Sequence, residues 1–296
     1  MLITERPALI AIQNVLFATD FSSTSERALP FALEFATRYN ATLFVAHAVP
    51  PMPAVVPIEP VPDQTDVLRK GAGQEMQRFV AKQSLKEIPH QAIVMDGEVW
   101  DVIRQVVADK RIDLVVLGTR GRGVLHKLLV GSIAEEIYRT VKCPVLTIGP
   151  EVIPPSLPRQ KMWRIVFATD FSTGSLHALP YALMFTQEHH SQTTFLHVIA
   201  HSASLPADSA DQLVHESVAR MKELIPEGME GSHPDFKVEF GSPGPDIVRI
   251  ATDLEADLLV MGVHAGHHAT SHLPWSVASY VLSHARCPVL TVRGGA

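Results

Sequence analysis

The chain has 296 residues, of which 46% are apolar and 19% charged, and its formal net charge is −6. This composition is ordinary for a globular protein, and the length suggests two domains rather than one. The acidic balance excludes a global basic field for binding nucleic acid or an anionic membrane.

Three features of the sequence indicate the cellular compartment in which we expect the protein. The first residues contain an acid, Glu5, and no long apolar run, so no secretory signal is evident. No apolar stretch approaches the roughly 20 residues that span a bilayer. Cys143 and Cys287 each precede a proline and an apolar run, and we interpret them as small buried residues rather than as a disulfide. So few cysteines favour a reducing compartment, and we expect a cytoplasmic protein.

Short apolar runs alternate with helical patterns along the first half of the chain. The predicted strands cover 15–19, 42–47, 92–95, 114–117 and 145–148, and helical spacing appears over 28–36, 67–85, 99–107 and 133–138. Strands that are apolar throughout are typical of parallel sheets covered on both faces. The alternation predicts an α/β domain with a five-stranded, mostly parallel, doubly wound sheet flanked by helices.

Two residues mark the ends of predicted strands. Asp20 follows the first strand, and Gly118 ends the fourth. In doubly wound sheets, ligands bind beyond the carboxyl ends of the strands, where the strand order reverses. If these two strands are neighbours, Asp20 and Gly118 line one crevice.

The chain contains an internal duplication. Residues 16–35 have the sequence LFATDFSSTSERALPFALEF, and residues 166–185 have VFATDFSTGSLHALPYALMF, with thirteen of twenty positions identical. The segment Cys143–Thr147 likewise matches Cys287–Thr291. The period of roughly 145–150 residues fits whole domains and is too long for a solenoid.

We therefore assign residues 1–150 and 161–296 to two tandem domains of the same fold, joined by a linker over 151–160. The prolines of the linker favour an extended, fairly stiff connection. A second proline-rich piece, 50–62, is interpreted as a long surface loop, with a flap over a ligand site as the functional alternative.

The glycine spacing after the fourth strand indicates a phosphate site. Gly118, Gly121 and Gly131 are followed directly by Ser132, which begins a helical pattern. Glycines let the backbone approach a ligand, and the unpaired amides of a helix start favour an anion. Neither the P-loop motif nor the dinucleotide-binding glycine motif is present.

The spacing Gly-x2-Gly-x9-Gly-Ser/Thr resembles the ATP-binding motif of the universal stress protein family, and the Ala-Thr-Asp-Phe-Ser and Cys-Pro-Val-Leu segments resemble that family too. The resemblance covers nearly the whole chain, as two tandem domains. It implies a Rossmann-like fold of the adenine-nucleotide alpha hydrolase type. It also implies a site for ATP and Mg²⁺, formed by Ala18, Asp20, Ala48, Gly118, Gly121, Gly131, Ser132 and Ile133.

The resemblance implies distinct roles for these residues. Asp20 contacts ribose or the ATP-bound Mg²⁺, and Ala18 and Ala48 approach adenine through their backbone. The glycines, Ser132 and the Ile133 amide bind phosphate oxygens. Arg120, with Arg122 and Lys127, adds positive charge in the loop, where direct phosphate contact and a solvated basic loop remain alternatives.

The second half departs from the motif. Gly262 and Ser276 remain, but Ala265 and Trp275 stand where the second and third glycines are expected. No Lys or Arg lies between Gly262 and Ser276. We predict that ATP binds to the N-terminal domain only.

Histidines replace the basic loop in the second half. They are His264, His267, His268 and His272, at offsets that could share one helical face. No nearby Cys, and no carboxylate within the loop, completes a ligand set. A solvated loop is the interpretation that we favour, and a metal site is the alternative.

These features favour an ATP-binding regulatory protein over an enzyme. The resemblance implies a role in the stress response but identifies no protein partner. One alternative is a slow Mg²⁺-dependent ATPase, although no general base stands beside the glycine loop, since His47 and His197 fall in buried strands. The other is an interaction scaffold in which the two domains pair within the chain through their last strands, as family members commonly do. Whether two chains then form a homodimer is open.

Overall fold

Ten strands form a single sheet in the computed structural model, which describes residues 10–51, 64–83, 85–119, 132–153, 163–189, 191–200, 207–227, 229, 234–263 and 276–294. The strands are β1 Asn14–Ala18, β2 Thr42–Val49, β3 His90–Asp96, β4 Leu114–Gly118, β5 Val145–Ile148, β6 Arg164–Ala168, β7 Gln192–Ala200, β8 Asp235–Gly241, β9 Leu258–Val263 and β10 Val289–Arg293. The helices are α1 Ser23–Glu26, α2 Leu29–Arg38, α3 Gln64–Lys82, α4 Val99–Asp109, α5 Ser132–Thr140, α6 Thr173–Leu176, α7 Leu179–His189, α8 Ala207–Glu223, α9 Pro243–Asp253 and α10 Val277–His284. A short 3-10 turn, Leu85–Glu87, precedes β3.

The strand order is β3-β2-β1-β4-β5-β10-β9-β6-β7-β8. Each half has the same doubly wound arrangement, because β6 to β10 repeat the order of β1 to β5 in the opposite direction across the sheet. Every neighbouring pair is parallel except β5 with β10. The predicted fold class, two tandem doubly wound α/β domains, is therefore confirmed.

Two hydrophobic cores cover the two faces of the sheet. Successive side chains of a strand point to opposite faces, so Val15 and Phe17 enter one core and Leu16 enters the other. Helices α2 and α3 pack on the first face, and α4 and α5 pack on the second. Each core contains residues from both halves of the chain.

The antiparallel pair β5–β10 joins the halves. Leu146 pairs with Leu290, and both side chains are fully buried. Thr291 Oγ1 donates a hydrogen bond to the Val145 carbonyl oxygen at 3.2 Å. The two halves therefore pair within one chain through their last strands, as the family resemblance implied.

Aromatic side chains extend this junction on the first face of the sheet. The ring centroid of Phe35 lies 5.8 Å from that of Phe185 and 6.1 Å from that of Trp163, both at edge-to-face angles. Phe35 belongs to the first half and the other two to the second, so the halves share one packed core.

The helix predicted over 28–36 corresponds to α2, and a short additional helix, α1, precedes it. Ser22 caps the short helix α1, and α2 then begins at Leu29 with Pro30 in its first turn. Proline is tolerated there because the amides of the first turn have no helical acceptor. Among the described residues, no helix combines the length and apolarity needed to cross a membrane.

The two cysteines are free thiols, and the predicted burial holds for Cys287 but only in part for Cys143. Cys287 is buried, whereas Cys143 is half-buried at the start of β5. Burial raises the pKa of the Cys143 thiol to about 12.

Candidate functional site

The carboxyl ends of β1 and β4 meet at the point where the strand order reverses. The two strands are parallel neighbours, with Phe17 opposite Val116. The chain runs from β1 to β2 on one side and from β4 to β5 on the other. Asp20, just beyond β1, and Gly118, the last residue of β4, therefore lie at one edge of the sheet, as the sequence predicted.

The turn after β1 is held by its own side chains. Asp20 Oδ1 accepts hydrogen bonds from the Ser22 amide at 3.0 Å and from the Ser22 hydroxyl at 2.6 Å. Thr19 Oγ1 accepts one from the Phe21 amide at 2.9 Å and lies 3.0 Å from Ser25 Oγ. The Ser22 hydroxyl oxygen in turn accepts from the Ser25 amide at 3.1 Å and caps α1. One Asp oxygen is thus fixed in place before any ligand arrives.

Phe21 occupies the left-handed region of backbone space, with a φ of 59°. That conformation is uncommon for a bulky residue and persists only where the surrounding structure supports it. Here the Phe21 ring packs against His47 at a tilt of 33°, with ring centroids 4.3 Å apart. His47 Nδ1 lies 2.9 Å from the Thr19 carbonyl oxygen, and because a carbonyl only accepts, Nδ1 carries the hydrogen.

His47 therefore has a role that sequence reasoning missed. The sequence suggested only a histidine in a buried strand, and the residue is in fact half-buried, bridging the end of β1 to β2. The pattern that could have revealed it is the repetition of the same His, 28 residues after Thr19 and again 28 residues after Thr169.

The second half builds the same turn. Asp170 Oδ1 accepts from the Ser172 amide at 3.0 Å and from its hydroxyl at 2.5 Å. Phe171 has a φ of 61°, and His197 Nδ1 lies 2.8 Å from the Thr169 carbonyl oxygen. The two turns differ in exposure, because Asp20 is half-buried and Asp170 is exposed. Because the second half forms this turn although it lacks two of the three motif glycines, the turn does not depend on the glycine motif.

Some of the other predicted site residues lie in the described part of the chain, and others lie outside it. Ala18 is half-buried at the end of β1, and Ala48 is buried near the end of β2. Ser132 is the first residue of α5, and the Ile133 side chain is exposed. Arg120, Gly121 and Gly131 lie outside the described residues, as do Arg122 and Lys127. The site roles assigned to all of these residues remain predictions.

Gly262 has a packing role that the sequence did not reveal. A Cβ at this position would overlap the Gly174 carbonyl oxygen and the Ser175 Cα of α6. The end of β9 and the helix α6 therefore approach so closely that only glycine fits. The retention of Gly262 in the second half follows from this contact, without any need for a phosphate.

A cavity of about 300 Å³ opens at the carboxyl ends of β6 and β9. Its apolar walls come from β6, β7, β9 and α9, and include Leu196, Ile247 and Met261. Ser276, which caps α10 by accepting a hydrogen bond from the Ser279 amide at 3.1 Å, lies on its polar side. Tyr138 and Arg139 of α5 also line it, so the first half contributes to a cavity in the second.

Metal ligands do not cluster in the described part of the chain, where no group of three or more His, Cys, Asp or Glu side chains could hold an ion. The histidine loop with His264, His267, His268 and His272 lies outside that part. Its interpretation stays a prediction.

The universal stress protein family model matches residues 11–149 and 162–293. The chain belongs to the universal stress protein family. The two matched regions are the two halves of the duplication, so this protein is a tandem member.

Relatives of the same length support the tandem arrangement. A universal stress protein of Mycolicibacterium smegmatis is 25% identical over 292 residues, which cover 95% of this chain and 97% of the relative. The crystal structure of a universal stress protein from Archaeoglobus fulgidus matches with a TM-score of 0.71 and 22% identity, covering 95% of this chain and 98% of that one.

A shorter neighbour matches about half of the chain. It is a universal stress protein solved in complex with cAMP, and the match covers 47% of this chain and 97% of that one, with 23% identity and a TM-score of 0.33.

Proposed function

We propose that this universal stress protein binds ATP through its N-terminal domain alone and acts as a nucleotide-dependent regulatory protein in the stress response. The observation that carries the proposal is the pre-formed Asp20 turn beside Gly118, at the edge where doubly wound sheets bind ligands. The motif Gly118-x2-Gly121-x9-Gly131-Ser132 then continues from that edge to the start of α5.

The residues at this edge suit Mg²⁺-ATP. Mg²⁺ is usually held by one or two carboxylates together with substrate phosphates and water. Asp20 supplies one carboxylate, whose Oδ1 is already oriented by Ser22. Helix α5 begins at Ser132, and a helix start that follows a glycine loop favours phosphate oxygens.

One nucleotide per chain follows from the differences between the halves. In the second half, Trp275 replaces the glycine that precedes the helix, and no Lys or Arg lies between Gly262 and Ser276. A bulky side chain at that point hinders close backbone approach to a triphosphate. Gly262 is accounted for by its contact with α6, so its presence does not argue for a second ATP site.

Isothermal titration with Mg²⁺-ATP tests the proposal, and the duplication provides the matched control. The expected stoichiometry is one per chain. Asp20→Ala removes a charged contact and should weaken binding about tenfold or more. Asp170→Ala, the same change in the second half, should leave binding unchanged.

A transplanted residue tests the role of the loop separately. Gly131→Trp gives the first half the residue that the second half carries at that place, and we expect it to abolish ATP binding. Two equivalent sites in the wild type, or equal losses from Asp20→Ala and Asp170→Ala, would contradict the proposal. Phosphate release that Asp20→Ala abolishes would favour the slow ATPase instead.

A scaffold role for the second half is supported by the seam between the halves. The pairing of β5 with β10 and the shared Phe35–Phe185 core make the second domain a fixed partner of the first. A ligand that stabilises one domain can thereby influence surfaces on the other, since a ligand favours whichever state binds it better. Light scattering with and without ATP tests whether occupancy changes the association of whole chains.

A further inference from the structure

We propose that two copies of this chain associate through the outer edge of β3, His90–Asp96, with the two β3 strands antiparallel about a two-fold axis at Ile93. The partner that covers this edge is thus a second copy of the same chain. The interface lies at the opposite end of the first half from β5, and the proposal does not depend on nucleotide binding.

Strand β3 ends the ten-stranded sheet of the described residues, so within that sheet it has a neighbour, β2, on one side only. The Pro89 carbonyl and the Gly97 amide form hydrogen bonds with β2. Because backbone groups alternate in direction along a strand, every second residue from Pro89 faces β2, and the residues between them direct their amides and carbonyls outward. The outward-directed residues are His90, Ala92, Val94 and Asp96. Such an edge is a template for pairing with another strand unless it is blocked.

The other end of the sheet, β8, carries a charged version of the same edge. The two edge strands can be aligned through β2 and β7, which are equivalent in the duplication. In that alignment, Lys237 of β8 occupies the position of Ile93 of β3, and Glu239 occupies the position of Met95. Lys237 Nζ lies 3.2 Å from Glu239 Oε1. Charged side chains, lysine above all, discourage pairing at a sheet edge, and β3 lacks them at these two positions.

A groove of about 380 Å³ lies beside β3 on the second face of the sheet. It is lined by β3 and by Val106, Asp109 and Lys110 of α4. Ile93 and Met95 are half-buried and direct their side chains to this face, whereas α3 packs against the first face of β3. An added strand would therefore cover apolar side chains on the second face, and the groove leaves room for the side chains of the partner.

The sequence of β3 is self-complementary in an antiparallel pair. With the axis at Ile93, all seven residues of each strand are paired, and the outward-directed residues fall into hydrogen-bonded pairs. His90 of one copy then lies opposite Asp96 of the other at both ends, so that an imidazole faces a carboxylate twice. Asp96 also pairs with Arg69 of α3, and a carboxylate can accept hydrogen bonds from both groups. This charge complementarity favours a second copy as the partner.

The junction inside the chain already uses the same geometry. There β5 and β10, the last strands of two copies of one fold, pair antiparallel with Leu146 opposite Leu290. Pairing of β3 with its own copy repeats this arrangement at the other edge of the first half and closes as a dimer. Pairing of β3 with β8 of another chain would instead generate an open chain of molecules and would cover Lys237 and Glu239.

Sedimentation velocity of the full chain over a concentration series tests the proposal. We expect a dimer of about twice the 32.4 kDa of the chain. Ile93→Lys places two lysines directly opposite each other across the axis and should raise the dissociation constant of the dimer about tenfold or more. Lys237→Gln, at the matching position of β8, is the control and should leave that constant within about twofold of the wild type.

Ala92→Pro tests the same edge with a variant that keeps the β2–β3 ladder. The Ala92 amide points away from β2 and its side chain is exposed, so proline removes a hydrogen-bond donor from the interface alone. We expect the dimer to weaken about tenfold or more while the melting temperature of the monomer changes little. Circular dichroism shows that each variant is folded.

A cross-link tests the register. Ile93→Cys, in a background with Cys143→Ala and Cys287→Ala, should form a disulfide-linked dimer with diamide, because opposite residues at a non-hydrogen-bonded position lie about 4.5 Å apart between Cα atoms. Lys237→Cys in the same background should not. A monomer up to about 100 μM would overturn the proposal. So would a dimer that both Ile93→Lys and Ala92→Pro leave intact, or cross-linking of Ile93→Cys that is absent or no stronger than that of Lys237→Cys.

Discussion

The Gly174 carbonyl oxygen of α6 lies where a Cβ at position 262 would have to be, at the end of β9. All three nearest atoms on the α6 side, this oxygen, the Gly174 carbonyl carbon and the Ser175 Cα, belong to the backbone. None of them can move aside as a flexible side chain would. The close approach of α6 to the sheet therefore depends on the absence of a side chain at Gly262.

Gly262→Ala should consequently lower the free energy of unfolding by about 3 kcal/mol, at the upper end of overpacking costs. Urea unfolding followed by circular dichroism measures it. Gly71→Ala is the control, because Gly71 lies on the exposed face of α3 and a Cβ there meets nothing within 4 Å. That substitution should raise the free energy of unfolding by roughly 0.5–1 kcal/mol, since alanine is the better helix former. Similar losses in both variants would show that the contact with α6 is unimportant.

The duplicated threonines of the last strands differ in their hydrogen bonds. Thr291 Oγ1 donates to the Val145 carbonyl oxygen, whereas Thr147 Oγ1 is buried and has no partner among the described residues. Both side chains are fully buried, at 0% and 1% exposure for Thr147 and Thr291. The same substitution should thus have opposite effects at the two positions.

Thr291→Val should lower the free energy of unfolding by about 1–2 kcal/mol, because it leaves a buried carbonyl less satisfied. Thr147→Val should leave it unchanged or raise it by up to about 1 kcal/mol, because it removes an unpaired polar group. Thermal unfolding of the two variants beside the wild type distinguishes them. Equal destabilisation of the two variants would show that the β5–β10 pair responds to the change in side-chain shape and not to the loss of the Thr291 hydrogen bond.

Much of the fold was accessible from the sequence because it is local and repeated. The central strands of each half are short, mostly apolar runs, and the duplication presents every element twice, so the predicted β5 at Val145–Ile148 matches the structure residue for residue. The short helix α1, Ser23–Glu26, was not predicted. Helix α1 has the sequence Ser-Thr-Ser-Glu, so it carries no apolar spacing, and only the cap at Ser22 marks its start.

The candidate sites were harder to predict where they depend on contacts between distant residues. The motif around Gly118 is local and was recognised, as was the position of Asp20 at the end of β1. The placement of Tyr138 and Arg139 beside Ser276 depends on how two domains meet, and no periodicity encodes it. The packing role of Gly262 was missed for the same reason. In the sequence this glycine matches a position of the ligand-binding motif, and its contact with α6 is visible only in the fold.

Cys143 should react slowly despite being only half-buried. Burial raises the pKa of its thiol to about 12, so at pH 8 only about one molecule in 10,000 carries the reactive thiolate. In a Cys287→Ala variant, Ellman's reagent at pH 8 should label the native chain far more slowly than the urea-unfolded chain. The native rate should rise about tenfold per pH unit from 8 to 10. If the labelling rate instead levels off near pH 9, the thiol has an ordinary pKa and the prediction is wrong.

The same shift has a consequence for stability. A thiol whose folded pKa is raised stays protonated in the native state after the unfolded chain has lost its proton. Its contribution to stability is complete below the unfolded pKa and declines as the pH rises toward 12. Cys143→Ala should therefore flatten the fall in unfolding free energy above about pH 9, measured by urea titration in the same Cys287→Ala background.

Tyr138→Phe should raise the free energy of unfolding by up to about 1 kcal/mol in the absence of ligand. Burial raises the pKa of Tyr138, and its hydroxyl has no partner in the described part of the chain, so its removal relieves a desolvation cost. Urea unfolding of Tyr138→Phe beside the wild type measures the change. A loss of stability in the variant would contradict the prediction and show that the hydroxyl contributes to packing.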